Sequence, residues 1–350
     1  MPPSPLRIPP DIGAALAAAE RVVDVRTPAE YAHGAIAGAV NIPLFSNGER
    51  AEIGALYKQV GRNPAVARGL DLVGGRLREF AAAFEPYRGE AILIYCARGG
   101  MRSASVASLL ASLGYRVTQL PGGYKAFRNH LLSELERLVP PELIVIHGQT
   151  GVGKTPILQT LENALDLEDL AQHRSSLFGG VNRVPRTQQQ FEAELLAALR
   201  GLDFARPVWV EGESRKVGPV TIPPGLMKGM KAGTMVLLTA SVPTRVRRVI
   251  AEYDGDDPRT LPQLEAALRS LAPLFGAARV EALAAELRRG EMARVVETLL
   301  REYYDPRYAH AMRGYRYALE LSAEDAEGAA AALRAFALRS GARRGIVHAG

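Results

Sequence analysis

An α/β fold, organised as two parallel-sheet domains, is predicted by three observations. Short apolar runs of strand length alternate with stretches of helical periodicity along most of the chain. A Pro140-Pro141 pair, which no helix can run through, interrupts that alternation. Directly after it, an apolar run leads into a glycine loop and then a helix, the arrangement that presents backbone amides to phosphate.

The elements follow in order. Arg21-Val22-Val23-Asp24-Val25-Arg26 reads as a short buried strand, and Ala91-Ile92-Leu93-Ile94-Tyr95 as a second that ends at a cysteine. Val106, Leu109, Leu110 and Leu113 recur at helical spacing from about Ser103, and Gly114 stops the run. Arg116 to Leu120 makes another strand, closed by Pro121-Gly122-Gly123, and a helix from about Lys125 to Leu138 ends at the proline pair. The first domain is therefore set at residues 1–139 and the second at 143–350. In the second, Leu143 to His147 is a strand, and a helix is expected from about Thr155 to Leu165. Pro207 to Val210 and Thr234 to Leu238 are further strands, with an amphipathic helix from Gln190 to Leu199 between them. From about Leu261 the pattern is helical almost to the end.

At 350 residues the chain can bury two cores, and 47% hydrophobic with 23% charged residues is ordinary for a globular protein. No apolar run reaches bilayer-spanning length, and Met1-Pro2-Pro3-Ser4-Pro5 lacks the layout of a secretory signal. A single cysteine cannot form an internal disulfide, so a reducing cytoplasm is expected. The net charge of +6 suits a polyanionic partner only mildly.

The cysteine lies in Cys96-Ala97-Arg98-Gly99-Gly100-Met101-Arg102-Ser103. Gly99 and Gly100 let the backbone curl its amides inward, the following helix adds its positive end, and Arg98 and Arg102 add charge. Such surroundings lower a thiol pKa and yield a nucleophilic thiolate with donors ready for a chalcogen or oxyanion. A cysteine that merely packs would have apolar neighbours on both sides, which Cys96 lacks. Together with Asp24-Val25-Arg26-Thr27-Pro28-Ala29-Glu30-Tyr31 and His33-Gly34-Ala35-Ile36-Ala37-Gly38-Ala39-Val40-Asn41-Ile42-Pro43, this loop resembles the rhodanese superfamily. By that resemblance Cys96 matches the persulfide-forming cysteine. Asp24 and Arg26 can form an ion pair that braces the loop, as structure or as part of catalysis. Protein phosphatases of related architecture share a Cys-x5-Arg spacing, which Cys96 and Arg102 satisfy; the upstream signature and the lack of a paired general-acid aspartate motif favour sulfur or selenium transfer.

Gly148-Gln149-Thr150-Gly151-Val152-Gly153-Lys154-Thr155 fits the complete phosphate-loop pattern with the required strand before it and helix after it. Gly148, Thr150, Gly151 and Gly153 are expected to wrap a diphosphate, with Lys154 neutralising charge and the Thr155 hydroxyl placed to ligate Mg²⁺. Glu211-Gly212-Glu213-Ser214-Arg215 follows a strand and could carry a magnesium-holding carboxylate, with Glu213 and Arg215 in support, or be a solvated loop. Arg245, Arg247 and Arg248 could close over phosphates or form an exposed face. His147 and His173 have no metal-ligand spacing, and no resident metal is expected.

A rhodanese-like domain followed by a phosphate-loop domain resembles the bacterial tRNA 2-selenouridine synthase family. The similarity spans nearly the whole chain and includes Glu49 to Gln59, Gly122 to Arg128, Asp166 to Arg174, Gln190-Phe191-Glu192 and Tyr303 to Tyr308. Two positions depart from the family pattern: Ala97 stands where tryptophan is usual, and Ser175 where a glycine usually follows His173-Arg174. The resemblance implies replacement of sulfur by selenium at carbon 2 of the wobble uridine, position 34 of a tRNA anticodon, with selenophosphate as donor and an enzyme producing it as a partner. It also implies geranyl diphosphate as co-substrate: a geranyl group on the 2-thio sulfur improves the leaving group, the phosphate loop holds the prenyl donor, and Cys96 carries selenium as a selanyl sulfide. Two rival readings are an ATP-dependent sulfurtransferase or kinase fusion acting on tRNA, and a nucleotide-gated RNA-binding module with an inert cysteine loop.

Overall fold

The computed structural model describes residues 11–253, 257–312 and 314–345; the Met1–Pro5 stretch and the last five residues lie outside them. The chain divides into two compact units, Met1–Glu134 and Leu135–Gly350, a few residues before the proline pair.

The first unit is built on a parallel sheet of β1 (Arg21–Asp24), β2 (Val40–Asn41), β3 (Ala91–Tyr95) and β4 (Arg116–Gln119), in the order β2-β1-β3-β4. A strand flanked on both sides and covered on both faces should be apolar throughout, and Ile92 to Tyr95 are all buried. Val23, Val25, Ile92, Ile94, Phe84, Val106 and Leu110 form the core, and Cys96 closes its upper end. Each such side chain contributes about 1.5–3 kcal/mol when fully buried. The helix Met101–Ser112 returns the chain from β3 to β4 and starts two residues earlier than its apolar spacing shows. Three helices between β2 and β3 carry too weak an apolar stripe to be read from spacing: Asn47–Gln59, Arg62–Gly74 and Leu77–Ala82. Capping boxes nonetheless mark helix starts at Thr27 with Glu30 and at Ser46 with Glu49.

The second unit has a parallel sheet of β5 (Leu143–Gly148), β6 (Ala164–Leu165), β7 (Val208–Glu211), β10 (Thr234–Thr239) and β11 (Tyr317–Ser322), ordered β11-β10-β5-β7-β6. A small antiparallel pair, β8 (Lys216–Val217) and β9 (Val220–Thr221), lies apart from it. β5 is central, and all six of its residues are buried. Two expectations are corrected here. The helix after the phosphate loop spans only Lys154–Leu158; Asn163, at φ 59°, turns the chain and Ala164–Leu165 pairs with β7 as a strand. The helical tail is interrupted by β11, an edge strand whose residues alternate between half-buried and exposed. The Gln188–Gly201 helix is present with a Thr187 capping box. Helices Thr260–Arg269, Ala277–Arg288 and Met292–Leu299 pack with a π-helical turn at Leu300–Tyr304 into one apolar cluster.

Candidate functional site

In each unit the expected loop lies at the carboxyl end of a central parallel strand, where open α/β sheets place their ligands.

β3 delivers Cys96, which is 3% exposed. Burial alone pushes its thiol up. The Ser103 hydroxyl donates to Sγ at 3.1 Å, the amides of Ser103 and Arg98 point at it, and Arg102 adds positive charge. Their combined pull outweighs burial and holds the thiol below its ordinary pKa. Gln119, on β4, fixes the loop from outside, donating to the Gly99 carbonyl at 2.8 Å and the Ser103 oxygen at 2.9 Å. Gly99 (φ 62°) has no room for a side chain: a Cβ would lie 2.8 Å from the Gly122 amide nitrogen. Gly123 (φ 59°) is tighter still, because a Cβ there would meet the Cys96 carbonyl and the Gly99 nitrogen at 2.3 Å. The turn at 121–123 thus presses backbone to backbone on the cysteine loop, and Tyr124 and Lys125 amides donate to the Cys96 and Ala97 carbonyls at 2.8 and 3.0 Å.

Arg98 and Gly100 are exposed at the mouth of this loop. Arg102 is engaged with Glu30 at 2.7 Å, so its charge reaches Cys96 from within an ion pair. Asp24 and Arg26 form a fully buried pair at 2.6 Å, with Arg26 also donating to the Gly34 carbonyl and lying 3.9 Å from the Tyr124 ring centroid. Each of these bonds holds neighbouring backbone or rings in place, tying the end of β1 to the Gly34 turn and to Tyr124. Sequence reasoning missed Gln119, Glu30 and the hydroxyl role of Ser103. Only Ser103, at one helical turn from the loop, had a local signal.

In the second unit the phosphate loop follows β5. A Cβ on Gly148 would meet Val152 Cγ1 at 2.7 Å, and one on Gly151 (φ 77°) the Arg245 carbonyl at 2.7 Å. Lys154 Nζ donates to the Gly148 carbonyl at 3.0 Å and lies 5.7 Å from the Tyr308 ring centroid. Burial pulls the Lys154 ammonium down, but Tyr308, Glu213, Glu168 and Glu211 outweigh it and hold the pKa above its ordinary value. Thr155 Oγ1 donates to Glu168 Oε2 at 3.2 Å, and the other Glu168 oxygen accepts from the Ser175 amide at 2.6 Å.

Arg245 and Arg248 do not face the phosphate position. Arg245 is buried, pairs with Asp305 at 2.6 Å and donates to the Thr150 carbonyl at 2.8 Å; Arg248 donates to the Val152 carbonyl at 2.6 Å. Both tie the loop's carbonyls outward. Arg247 donates to Thr244. Glu211 ends β7 fully buried: Oε2 accepts from the Leu167 amide at 2.9 Å, and Oε1 has no hydrogen-bond partner. Burial, with Asp166, Glu168 and Glu213 nearby, pushes its carboxyl well above the usual range. Glu213 is also pushed up by burial, against the pull of Lys154, while Arg215 is exposed. Among the described residues no group of three or more His, Cys, Asp or Glu is arranged to hold a metal ion. The Thr155 hydroxyl touching the Glu168 carboxylate is nevertheless an all-oxygen pair, the kind of donor set that suits Mg²⁺ when phosphates and water complete the shell.

The loop opens on a cleft of about 230 Å³. Thr150, Gly151, Gly153, Lys154 and Thr155 line one end with Glu168, Arg174 and Arg183; Gly148, Glu211, Glu213 and Arg215 do not line it. Nη1 of Arg183 is buried without a hydrogen-bond partner, a cation prepared for an anion. The rest of the lining is Val152, Pro156, Gln159, Ser175, Ser176, Tyr308 and Glu252, the last paired with Arg174, together with Phe178, Val249, Tyr253, Val296, Leu299, Leu300 and Tyr304, which form an apolar floor with the π-helical turn. Neither the two arginines nor this floor was legible as part of the site, because they come from segments distant from the phosphate loop.

Comparison with known proteins agrees with this arrangement. Residues 10–130 match the family described as Rhodanese-like domain, and residues 141–337 the family described as tRNA 2-selenouridine synthase AAA domain. Proteins named tRNA 2-selenouridine synthase are similar along nearly their full length. The one from Pseudomonas entomophila is 33% identical, covering 87% of this chain and 91% of its own. That of Cupriavidus necator is 37% identical over 82% and 87%, and that of Cronobacter sakazakii 34% identical over 90% and 92%. With a lowered thiol in one unit, a phosphate loop in the other and relatives of this extent, the chain belongs to the tRNA 2-selenouridine synthase family.

Proposed function

We propose that this enzyme replaces sulfur by selenium at carbon 2 of the wobble uridine of tRNA in two steps, one in each unit. The observation that carries the reading is the cleft beside the phosphate loop, which joins cations and loop amides to an extended apolar floor. A prenyl diphosphate has that same division of character, whereas a nucleotide would set a polar base against an apolar floor.

In the first step the 2-thio sulfur of uridine attacks the first carbon of geranyl diphosphate. The carbon–sulfur bond forms, the carbon–oxygen bond breaks, diphosphate leaves with the electron pair, and the uridine N3 proton is released. Lys154, Arg174, Arg183 and the loop amides offset the departing charge. Thr155 and Glu168 would hold Mg²⁺, which would supply further charge neutralisation.

In the second step Cys96 acts as selenium carrier. Its thiolate takes selenium from selenophosphate, the S–Se bond forming as Se–P breaks with the pair left on phosphorus. Phosphite departs, the selenium attacks carbon 2 and geranyl thiolate leaves. A small thiol then attacks the Cys96 sulfur, forming a mixed disulfide as the S–Se bond breaks to free the selenouridine, and a second thiol exchanges with that disulfide to return the Cys96 thiolate. Selenophosphate supply by a producing enzyme and a cytoplasmic setting belong to the same proposal.

Substitution separates the steps. With Lys154→Ala, alkylation of 2-thiouridine should fall about 10²–10³-fold, while supplied geranylated tRNA is still converted to the selenium product. Cys96→Ser should accumulate the geranylated intermediate with no selenium and still bind tRNA. Mass spectrometry of wobble nucleosides reads both. If Lys154→Ala blocks conversion of supplied intermediate as strongly as alkylation, nucleotide-driven action takes the place of prenyl transfer.

A further inference from the structure

The first unit holds a second apolar trough that the proposed chemistry has not used. It has a volume of about 350 Å³, within the range of small-molecule sites, and is walled by helices Asn47–Gln59, Arg62–Gly74, Leu77–Ala82 and Met101–Ser112. Ile53, Val66, Val73 and Phe80 line its depth. At its mouth Leu70 and Tyr57 are 69% and 59% exposed, large apolar side chains left in water.

Two features say what the trough takes. It adjoins the cysteine loop: Met101 and Arg102, which line it, directly follow Gly100, the Arg102 charge acts on Cys96, and Val106 on its wall shares the core cluster of Cys96. Its rim is cationic. Arg62 lines the trough and reaches Met101 Sδ at 3.8 Å, and Lys58 is exposed beside Tyr57. On the Asn47–Gln59 helix the acidic groups are paired, Glu49 with Arg76 and Glu52 with Arg68. An apolar trough with a positive rim complements an alkenyl chain carried on a polyanion.

We infer that this trough receives the geranyl chain on the 2-thio sulfur while the wobble uridine is presented to Cys96, and so selects geranylated over unmodified thiouridine. The inference rests on the prenylated intermediate proposed above. It makes the cysteine unit a reader of the first step's product: a uridine without the chain lacks the anchor that holds carbon 2 at the loop.

The test uses the full chain carrying Cys96→Ser, so that nothing turns over, and two fluorescent anticodon stem-loops, one with 2-thiouridine and one with its S-geranyl derivative. The parent should bind the geranylated oligonucleotide at least about tenfold more tightly. Adding Leu70→Asp, and separately Tyr57→Asp, should abolish that preference without changing affinity for the thiouridine oligonucleotide; both side chains are exposed, so the fold should tolerate the change. A preference that survives both substitutions overturns the trough assignment and leaves the prenyl reading standing. Equal loss of affinity for both oligonucleotides overturns it too, since the residues would then serve RNA binding in general. Failure of the unsubstituted enzyme to convert the S-geranyl oligonucleotide would instead remove the prenyl reading itself.

Discussion

Burial by itself would make Cys96 a poor nucleophile, and what reverses this is a small number of oriented donors. Ser103 is the nearest side-chain donor, at 3.1 Å, and hydrogen bonds to a charged acceptor are among the stronger ones. Ser103→Ala should therefore move the pH midpoint of Cys96 alkylation upward and slow alkylation at neutral pH by about tenfold. An unchanged pH–rate profile would show that the backbone amides and Arg102 suffice. Glu211 shows the opposite balance. Its folded-state pKa is raised, so the native protein keeps a proton that the unfolded chain releases, and stability declines as pH rises above the ordinary carboxyl range. Glu211→Gln stays neutral and can still accept from the Leu167 amide. Its melting temperature should match the parent's near pH 4 and exceed it increasingly towards neutrality, each kcal/mol appearing as about 2–4 °C. A gap that does not widen with pH would refute this account.

At the scale of elements, the cysteine loop is shaped less by its own residues than by the turn at 121–123 pressed against it. Gly123→Ala introduces a Cβ 2.3 Å from the Cys96 carbonyl and the Gly99 nitrogen. Neither backbone can yield without moving the nucleophile. Gly38, also at positive φ but with open space around it, serves as the control, since Gly38→Ala adds only the left-handed strain of about 1–2 kcal/mol. Both variants should lose that stability in denaturant unfolding, but only Gly123→Ala should lose Cys96 alkylation. Comparable reactivity in the two would mean the loop adapts. In the second unit the π-helical turn Leu300–Tyr304 has the matching role: it turns Leu300 and Tyr304 to the floor of the cleft and carries the helix on to Asp305, the partner of Arg245.

For the whole molecule, charge sets the terms of tRNA encounter. Residues 1–139 carry 16 Lys and Arg against 12 Asp and Glu, a modest surplus. Of the cations near the cysteine loop in sequence or in the trough helices, Lys58, Arg98 and Lys125 are exposed while Arg50 and Arg128 are half-buried. Few phosphate contacts are therefore expected, and tRNA affinity should fall by roughly one to two orders of magnitude between 50 and 200 mM salt. Affinity that stayed flat over that range would move RNA recognition away from a phosphate-contacting surface. Among the described residues no helix is long and apolar enough to cross a membrane.

The sequence by itself determined what short-range spacing can encode. A cysteine at a strand end with glycines and arginines behind it, and the complete glycine-lysine-threonine loop, are contiguous signals, and both loops lie where their flanking strands imply. The central strands were legible for the same reason, being buried on both faces and apolar throughout. The edges were not. β6 is two residues long in a stretch of helical composition, and only the left-handed Asn163 separates it from the preceding helix. β11 is half-exposed, so its alternation is faint inside a helical tail. Tertiary structure alone decided which distant groups complete each site. Gln119 and the turn at 121–123 reach the cysteine loop across β4. Arg183 and the floor from Phe178 to Tyr304 reach the phosphate loop, and the trough beside Met101 is assembled from four separate helices. The physical reason is that hydrogen-bond partners and apolar walls are chosen by proximity in the packed fold, and nothing in the local order of residues records that proximity.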